Sequence, residues 1–141
     1  MIYLHPRAVV LALALLVYSI ESVSAGAIIV HPSNNNTIDE QTVVKIFLGK
    51  RSTFDDGTEA IPIDQVAESN TREDFLANIL NKSSSQFKSY WSKLLFSGKG
   101  TPPKQVSDPK KIKILVSENP QAIGYVDARV VDETVKVVLE F

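Results

Sequence analysis

The residues best suited to chemistry in this chain form one short polar segment: Ser69, Asn70, Thr71 and Arg72. The segment follows an apolar stretch at 60–64, and this order predicts a turn that leads from a strand into a helix. The first N–H groups of a helix have no intrahelical acceptor, and the helix dipole makes that end positive. Hydroxyl, amide and guanidinium donors placed there could bind an anion. A plain helix cap, with Thr71 and Asp74 as a capping-box-like pair, is the alternative.

The sequence offers little for catalysis or for metal binding. It contains no Cys, which excludes a Cys nucleophile, and after residue 25 its one histidine is His31, directly before Pro32. A Ser-His-Asp triad would depend on that single residue. The segment 55–57 (DDG) lacks the alternating acids of a calcium loop, and 98–101 (GKGT) is too short for a phosphate-binding loop. We therefore expect no enzyme activity, no catalytic residue, no metal and no cofactor.

The N-terminal segment has the order of a secretory signal peptide. Arg7 precedes an apolar run at 8–17, and the small residues Val23-Ser24-Ala25 follow. We expect a signal peptide at 1–25, one domain at 26–141 and a periplasmic location; an uncleaved membrane anchor is the alternative. The net charge of −1, without a basic block, argues against nucleic acid as a partner. The absence of Cys excludes a disulfide scaffold.

Hydrophobic periodicity after residue 25 predicts the order β-α-β-α-α-α-β-β. Strands are expected at 27–31, 60–64, 122–126 and 135–141, and helices after Thr37 or Asp39, at 71–80, at 86–96 and from Asp108-Pro109. Strands that alternate with helices indicate an α/β fold with a mostly parallel sheet flanked by helices. In such sheets ligands bind at the carboxyl ends of the strands, where the turn at 69–71 is expected to lie.

Four segments, in order along the chain, carry a resemblance to a known family: VKIFLG at 44–49, Phe54 with Gly57, IPI at 61–63 leading to SNTR and Phe75, and NPQAIGYV at 119–126. With these segments the chain resembles the second lobe of the periplasmic phosphate-binding proteins of ABC importers. The resemblance covers nearly all of 26–141. It implies a single lobe of a type II periplasmic-binding-protein-like fold, in a family that holds phosphate between two lobes.

The resemblance also implies the ligand-binding residues. The family's lobe contributes an Arg and, four residues later, Ser-Gly-Thr; here Ser69 and Thr71 match, Gln65 stands in place of the Arg, and Asn70 replaces the Gly. The loss of that Arg removes a permanently charged bidentate partner for the anion, for which Arg72 could compensate. The expected ligand-binding set is therefore Ser69, Asn70, Thr71, Arg72 and, in a secondary role, Gln65.

Two functions are compatible with these observations. The first is an exported solute-binding module that recognises phosphate or a similar oxyanion for an ABC importer or a sensor. Because one lobe leaves the anion open to water, we expect weak binding by a lone monomer and a second copy or another protein to close the site. The second is a ligand-free interaction protein that uses the same lobe to dock on a membrane partner.

Overall fold

The computed structural model describes residues 25–141; the signal peptide predicted at 1–25 lies outside the described residues, except for its last residue. The described chain forms five strands and four α-helices. The strands are β1 (Gly26–Val30), β2 (Ile61–Gln65), β3 (Lys104–Val106), β4 (Ala122–Asp127) and β5 (Lys136–Glu140). The helices are α1 (Glu40–Phe47), α2 (Asn70–Asn78), α3 (Ser84–Phe96) and α4 (Pro109–Glu118), with a 3-10 turn at Ala128–Val130. This architecture confirms the predicted α/β class.

The strands form one sheet in the order β3-β2-β4-β1-β5. Strand β2 is parallel to β3 and β4, whereas β1 is antiparallel to both β4 and β5. Four strands therefore run in one direction, as the predicted mostly parallel sheet requires, and β1 runs the opposite way between two of them. The carboxyl ends of β2, β3 and β4 meet at one edge of the sheet, and the polar turn at 69–71 follows β2 at this edge.

Helices cover both faces of the sheet, because successive side chains of a strand point to opposite sides. Ile28 and Val30 of β1 pack in the larger core with residues of α1, α2 and α3. Ala27 and Ile29 pack in the smaller core against Ile112 and Val116 of α4, and alternation along β2 and β4 divides their side chains in the same way. The polar turn therefore opens a helix that belongs to the larger core.

Local signals in the sequence set most helix starts. Asp39, one of the two predicted caps, accepts a hydrogen bond from the N–H of Thr42 at 2.8 Å. Ser83 and Gln86 form a capping box at the start of α3. Asp108 caps α4 with Pro109 at its first position, as predicted.

Two features of the sheet need an explanation: the short strand β3 and the proline inside β2. Strand β3 was not predicted; its three residues follow a Pro-rich loop and pair only with β2, so they carry no periodic signal. Pro62 lies inside β2, although β2 is not an edge strand. The N–H of Ile61 donates toward β4, to the carbonyl oxygen of Gln121, so the nitrogen of Pro62 faces the opposite side, where the pairing with β3 begins only at Ile63. Within residues 25–141, no helix is long and apolar enough to cross a membrane.

Candidate functional site

Ser69 is the residue that caps α2. Its Oγ accepts a hydrogen bond from the backbone N–H of Arg72 at 3.2 Å, and its hydroxyl donates to Oε1 of Gln65. The helix begins at Asn70, so the alternative capping pair of Thr71 and Asp74 was wrong: Thr71 already lies inside the helix. The side chain of Ser69 therefore connects the end of β2 to the first turn of α2.

Gln65 is buried at the carboxyl end of β2, with 2% of its surface exposed. Its Nε2 donates to the carbonyl oxygen of Tyr125 on the neighbouring strand at 2.8 Å, while its Oε1 accepts from Ser69. Both ends of the amide are therefore engaged within the protein. In this position Gln65 connects β4 to the turn.

Arg72 is directed inward, and only 4% of its surface is exposed. Its Nε lies 3.2 Å from Oδ2 and 3.3 Å from Oδ1 of Asp64, and its Nη1 donates to Oγ of Ser84 at 3.1 Å. Its guanidinium carbon lies 5.3 Å from the centre of the Phe87 ring, within the range of a cation–π contact. The positive charge of Arg72 is thus offset by a buried carboxylate next to it.

Asp64 connects this arrangement to the core. Its carboxylate accepts hydrogen bonds from the hydroxyl of Tyr125 and, at 2.8 Å, from the backbone N–H of Gln65. Burial and the neighbouring Asp64 charge raise the pKa of Tyr125 far above its ordinary value, so its hydroxyl stays protonated and donates. The ring of Tyr125 also stacks on Phe75 of α2, with centroids 4.0 Å apart. The site therefore rests on a connected network between β2, β4 and α2.

Asn70 and Thr71 are the predicted residues that face solvent at the start of α2. Asn70 is exposed and Thr71 is half-buried, and they occupy the first two positions of the helix, whose N–H groups have no intrahelical acceptor. The surroundings are acidic, because Glu68, Glu73 and Asp74 are all exposed close to this end. The donors are suited to an anion, but the nearby side-chain charges oppose one.

A cavity of about 520 Å³ lies next to the turn, between α3, the end of β2 and the loop at 97–103. Asp64, Arg72 and Ser84 contribute to its lining, together with apolar side chains of α3. Gln65, Ser69, Asn70 and Thr71 lie outside this lining, so the predicted ligand-binding set is divided. Across residues 25–141, no group of three or more His, Asp or Glu side chains is placed to hold a metal ion.

Comparison with solved structures identifies the fold. An ABC-type phosphate transport receptor from Vibrio cholerae superimposes with a TM-score of 0.64 at 21% identity, covering 82% of this chain and 45% of the receptor. This chain therefore has the architecture of one lobe of a type II periplasmic-binding-protein-like fold. A substrate-binding protein from Clostridium perfringens, assigned to phosphate ABC transport and solved with bound phosphate, gives a TM-score of 0.63 at 21% identity and covers 82% and 44% of the two chains. PstS from Borrelia burgdorferi gives a TM-score of 0.61 at 15% identity, and the match covers 82% of this chain and 46% of PstS.

These similarities confirm the fold that the sequence resemblance implied. This chain spans less than half the length of the receptors that it matches. No protein-family model matches the chain, and no curated protein sequence matches it significantly.

Sequence reasoning missed the partners that hold the site, above all Asp64, Ser84 and Tyr125. The sequence around Asp64 could have indicated its role, because a carboxylate inside an otherwise apolar strand requires a buried partner. The indication for Tyr125 was weaker: it carries the single hydroxyl within the apolar segment AIGYV. Ser84 lies in a run of three serines, and only the three-dimensional packing distinguishes it from its neighbours.

Proposed function

We propose that this protein is an exported, periplasmic solute-binding module that recognises phosphate or a similar oxyanion at the N-terminus of α2. The observation that carries the proposal is the position of Ser69-Asn70-Thr71, which open a helix at the carboxyl edge of the sheet. This is the edge at which α/β sheets bind ligands. The same lobe fold occurs in a protein solved with bound phosphate, and the similar structures are receptors and binding proteins, which argues against catalysis.

The predicted residues take two different roles in this proposal. The N–H groups of Asn70 and Thr71, together with the Thr71 hydroxyl, donate to the anion. Ser69, Gln65 and Arg72 hold the turn in place through their contacts with one another, with Asp64 and with β4. The contribution of Arg72 is therefore positioning, because its Nε and Nη1 are already engaged by Asp64 and Ser84.

Binding by a single lobe is expected to be weak. A helix N-terminus contributes about 0.3–1 kcal/mol toward an anion, and ~2 kcal/mol at best. A millimolar dissociation constant already needs about −4 kcal/mol. The Arg72 charge is offset by Asp64, and the exposed acids Glu68, Glu73 and Asp74 repel an anion further. We propose that a second copy or another exported protein, belonging to an ABC importer or a sensor, supplies the second wall.

The test is an NMR titration of the ¹⁵N-labelled protein with sodium phosphate, sodium sulfate and, as an ionic-strength control, sodium chloride. We expect saturable shifts of the Asn70 and Thr71 amide signals with the oxyanions only, with a dissociation constant in the millimolar range or weaker. Thr71→Val, which keeps the shape and removes the hydroxyl, should weaken binding. Thr101→Val, in an exposed loop, is the matched control and should bind as the unaltered protein does.

Equal responses to chloride and phosphate would contradict oxyanion recognition by the lone lobe. The engagement of both Gln65 and Arg72 inside the protein favours the second candidate in that case, an interaction protein that docks on a membrane partner. Capture of the same importer or sensor subunit by the unaltered protein and by Thr71→Val would then show that the anion turn is not the docking surface.

A further inference from the structure

We infer that the cavity next to Trp91 is a second binding site, for a small organic anion with an apolar body. Its volume of about 520 Å³ lies within the ~300–1,000 Å³ that is typical of small-molecule sites. The cavity is lined by α3, the end of β2, the loop at 97–103 and Gln105 of β3, and it leaves out the Ser69–Thr71 turn. This inference is therefore independent of oxyanion binding at α2.

Much of the cavity wall is apolar. Phe87, Trp91 and Leu95 recur every four residues along α3, so they lie on one face of the helix, and Pro102 and Pro103 line the cavity from the loop. Phe87 and Trp91 also belong to the larger core, whereas Leu95 is 57% exposed. The apolar stripe of α3 thus continues beyond the core into a space that the described chain does not fill. An apolar group of a ligand would remove this surface from water.

The indole ring of Trp91 lines the cavity and carries an N–H group that has no acceptor among the described residues. This nitrogen, Nε1, is buried. Buried N–H groups almost always have a partner, and leaving one without costs stability. Gly49 and Gly100 approach the opposite part of the ring so closely that an added Cβ would lie 2.6 Å from Cη2 and 3.2 Å from Cζ3, respectively. The ring therefore has little freedom to turn its N–H toward another acceptor.

Ser84 and Arg72 are polar residues that line the cavity. Ser84 Oγ accepts from Arg72 Nη1, so its own hydroxyl hydrogen can donate to a ligand. The contacts of Arg72 with Asp64 and Ser84 use Nε and Nη1, so they do not require the Nη2 hydrogens. Ser84 and Arg72 can both donate, and a ligand that meets them must present acceptors.

The charges of the lining favour a negatively charged ligand. Asp64, Arg72 and Lys88 are the ionisable residues that line the cavity. Asp64 and Arg72 offset each other in a buried pair, and Lys88 is the exposed cation left over. An aromatic carboxylate, phosphonate or phosphate monoester combines the required apolar body, acceptor oxygens and negative charge. Inorganic phosphate has the charge but lacks the body that the walls would cover.

The single tryptophan of this chain makes the test direct, because one indole N–H signal in the NMR spectrum reports on Trp91 alone. The purified protein is titrated with phenylphosphonate, benzoate, benzyl alcohol and inorganic phosphate. We expect saturable shifts of the indole signal with the two aromatic anions, severalfold weaker binding of benzyl alcohol and no saturable shift with inorganic phosphate. Thr71→Val should leave these results unchanged, which separates this site from the α2 turn.

Lys88→Met is the informative variant, and Lys93→Met is its control, since Lys93 is also exposed on α3 but lies outside the cavity lining. Lys88→Met should weaken the two aromatic anions severalfold while leaving benzyl alcohol unchanged, and Lys93→Met should have no effect. The inference would be overturned if neither aromatic anion shifted the indole signal saturably, if inorganic phosphate shifted it as phenylphosphonate does, or if the two lysine variants behaved alike.

Discussion

Arg72 and Asp64 form a buried ion pair, with Nε 3.2 Å from Oδ2 and side-chain exposures of 5% and 2%. Asp64 belongs to β2 and Arg72 to the first turn of α2, so the pair bridges the turn that carries the proposed anion site. Burying two charges is costly unless their remaining hydrogen-bonding groups are satisfied. Tyr125 and Ser84 provide that satisfaction on the two sides of the pair. The pair therefore fixes the turn and withdraws the Arg72 charge from solvent at the same time.

Removal of one partner of this pair should destabilise the protein strongly. Arg72→Met keeps an unbranched apolar stem but leaves the Asp64 carboxylate buried without its counter-ion. Losses of this kind cost about 3–5 kcal/mol. We expect the urea midpoint of unfolding to fall accordingly, without a large change in the slope of the transition.

Arg129→Met is the matched control, because Arg129 pairs with Asp127 at 2.7 Å while its side chain is 90% exposed. Exposed pairs contribute about 0–1 kcal/mol, since water screens them. Similar losses for the two variants would contradict the view that burial makes the Arg72 pair structurally important.

The contact between Gly49 and Trp91 predicts a second effect on stability. Gly49 has a φ of +68°, and a Cβ added there would lie 2.6 Å from Cη2 of the Trp91 ring. Gly49→Ala therefore carries both a backbone penalty and a steric one, and we expect a loss of about 2–4 kcal/mol. The fluorescence of Trp91 should change as well, because the ring must move to admit the methyl group.

Gly57→Ala separates the two penalties. Gly57 has a φ of +84°, but nothing lies within 4 Å of the position that its Cβ would take. This variant should lose only the backbone part, roughly 1–2 kcal/mol, and keep the native fluorescence. Equal losses at the two glycines would show that Trp91 does not restrict position 49.

The fold was predictable wherever a local signal and a periodic pattern coincide. Asp108-Pro109 marked the start of α4, and the continuous apolar run of β1 indicated a buried strand. Strand β3 escaped prediction because its three residues are polar or half-buried and acquire their pairing only from β2. Short strands that are specified by a neighbour leave little trace in the sequence.

The candidate site was predictable in its place but only partly in its contacts. Ser69 and Thr71 lie at a helix start after β2, as the sequence indicated. The sequence did not reveal that Arg72 turns inward, because that depends on Asp64, eight positions earlier, and on Ser84 from the next helix. A residue's charge can be read from the sequence, but its direction is decided by partners that only the fold brings together.

Acid should weaken the attachment of α4 through Asp132. The hydrogen bond from Lys113 and, next, those from Thr134 lower the pKa of Asp132 from about 3.8 to about 2. Because the folded-state pKa lies below the unfolded one, this stabilisation is complete above about pH 4 and is lost as the pH falls toward 2. Asp132→Asn should therefore flatten the dependence of the urea midpoint on pH between about 4 and 2.

Lys113→Met provides the check on the cause, because it removes the first of these donors and keeps the carboxyl group. It should flatten the same part of the pH profile, though less than Asp132→Asn, since the hydrogen bonds from Thr134 remain. An unchanged profile in both variants would show that other carboxyl groups dominate acid unfolding.

The hydrogen bond between Ser69 and Gln65 predicts that two helix caps of the same residue type differ in strength. Ser69→Ala removes the cap of α2, worth about 1 kcal/mol, and also leaves the buried Oε1 of Gln65 without its donor, which costs about 1–3 kcal/mol more. Ser83→Ala removes an exposed cap at α3 and should cost only the capping contribution of about 1 kcal/mol. Urea unfolding of both variants measures the difference. Equal losses would mean that the amide of Gln65 finds another partner, and the turn would then not depend on its link to β2.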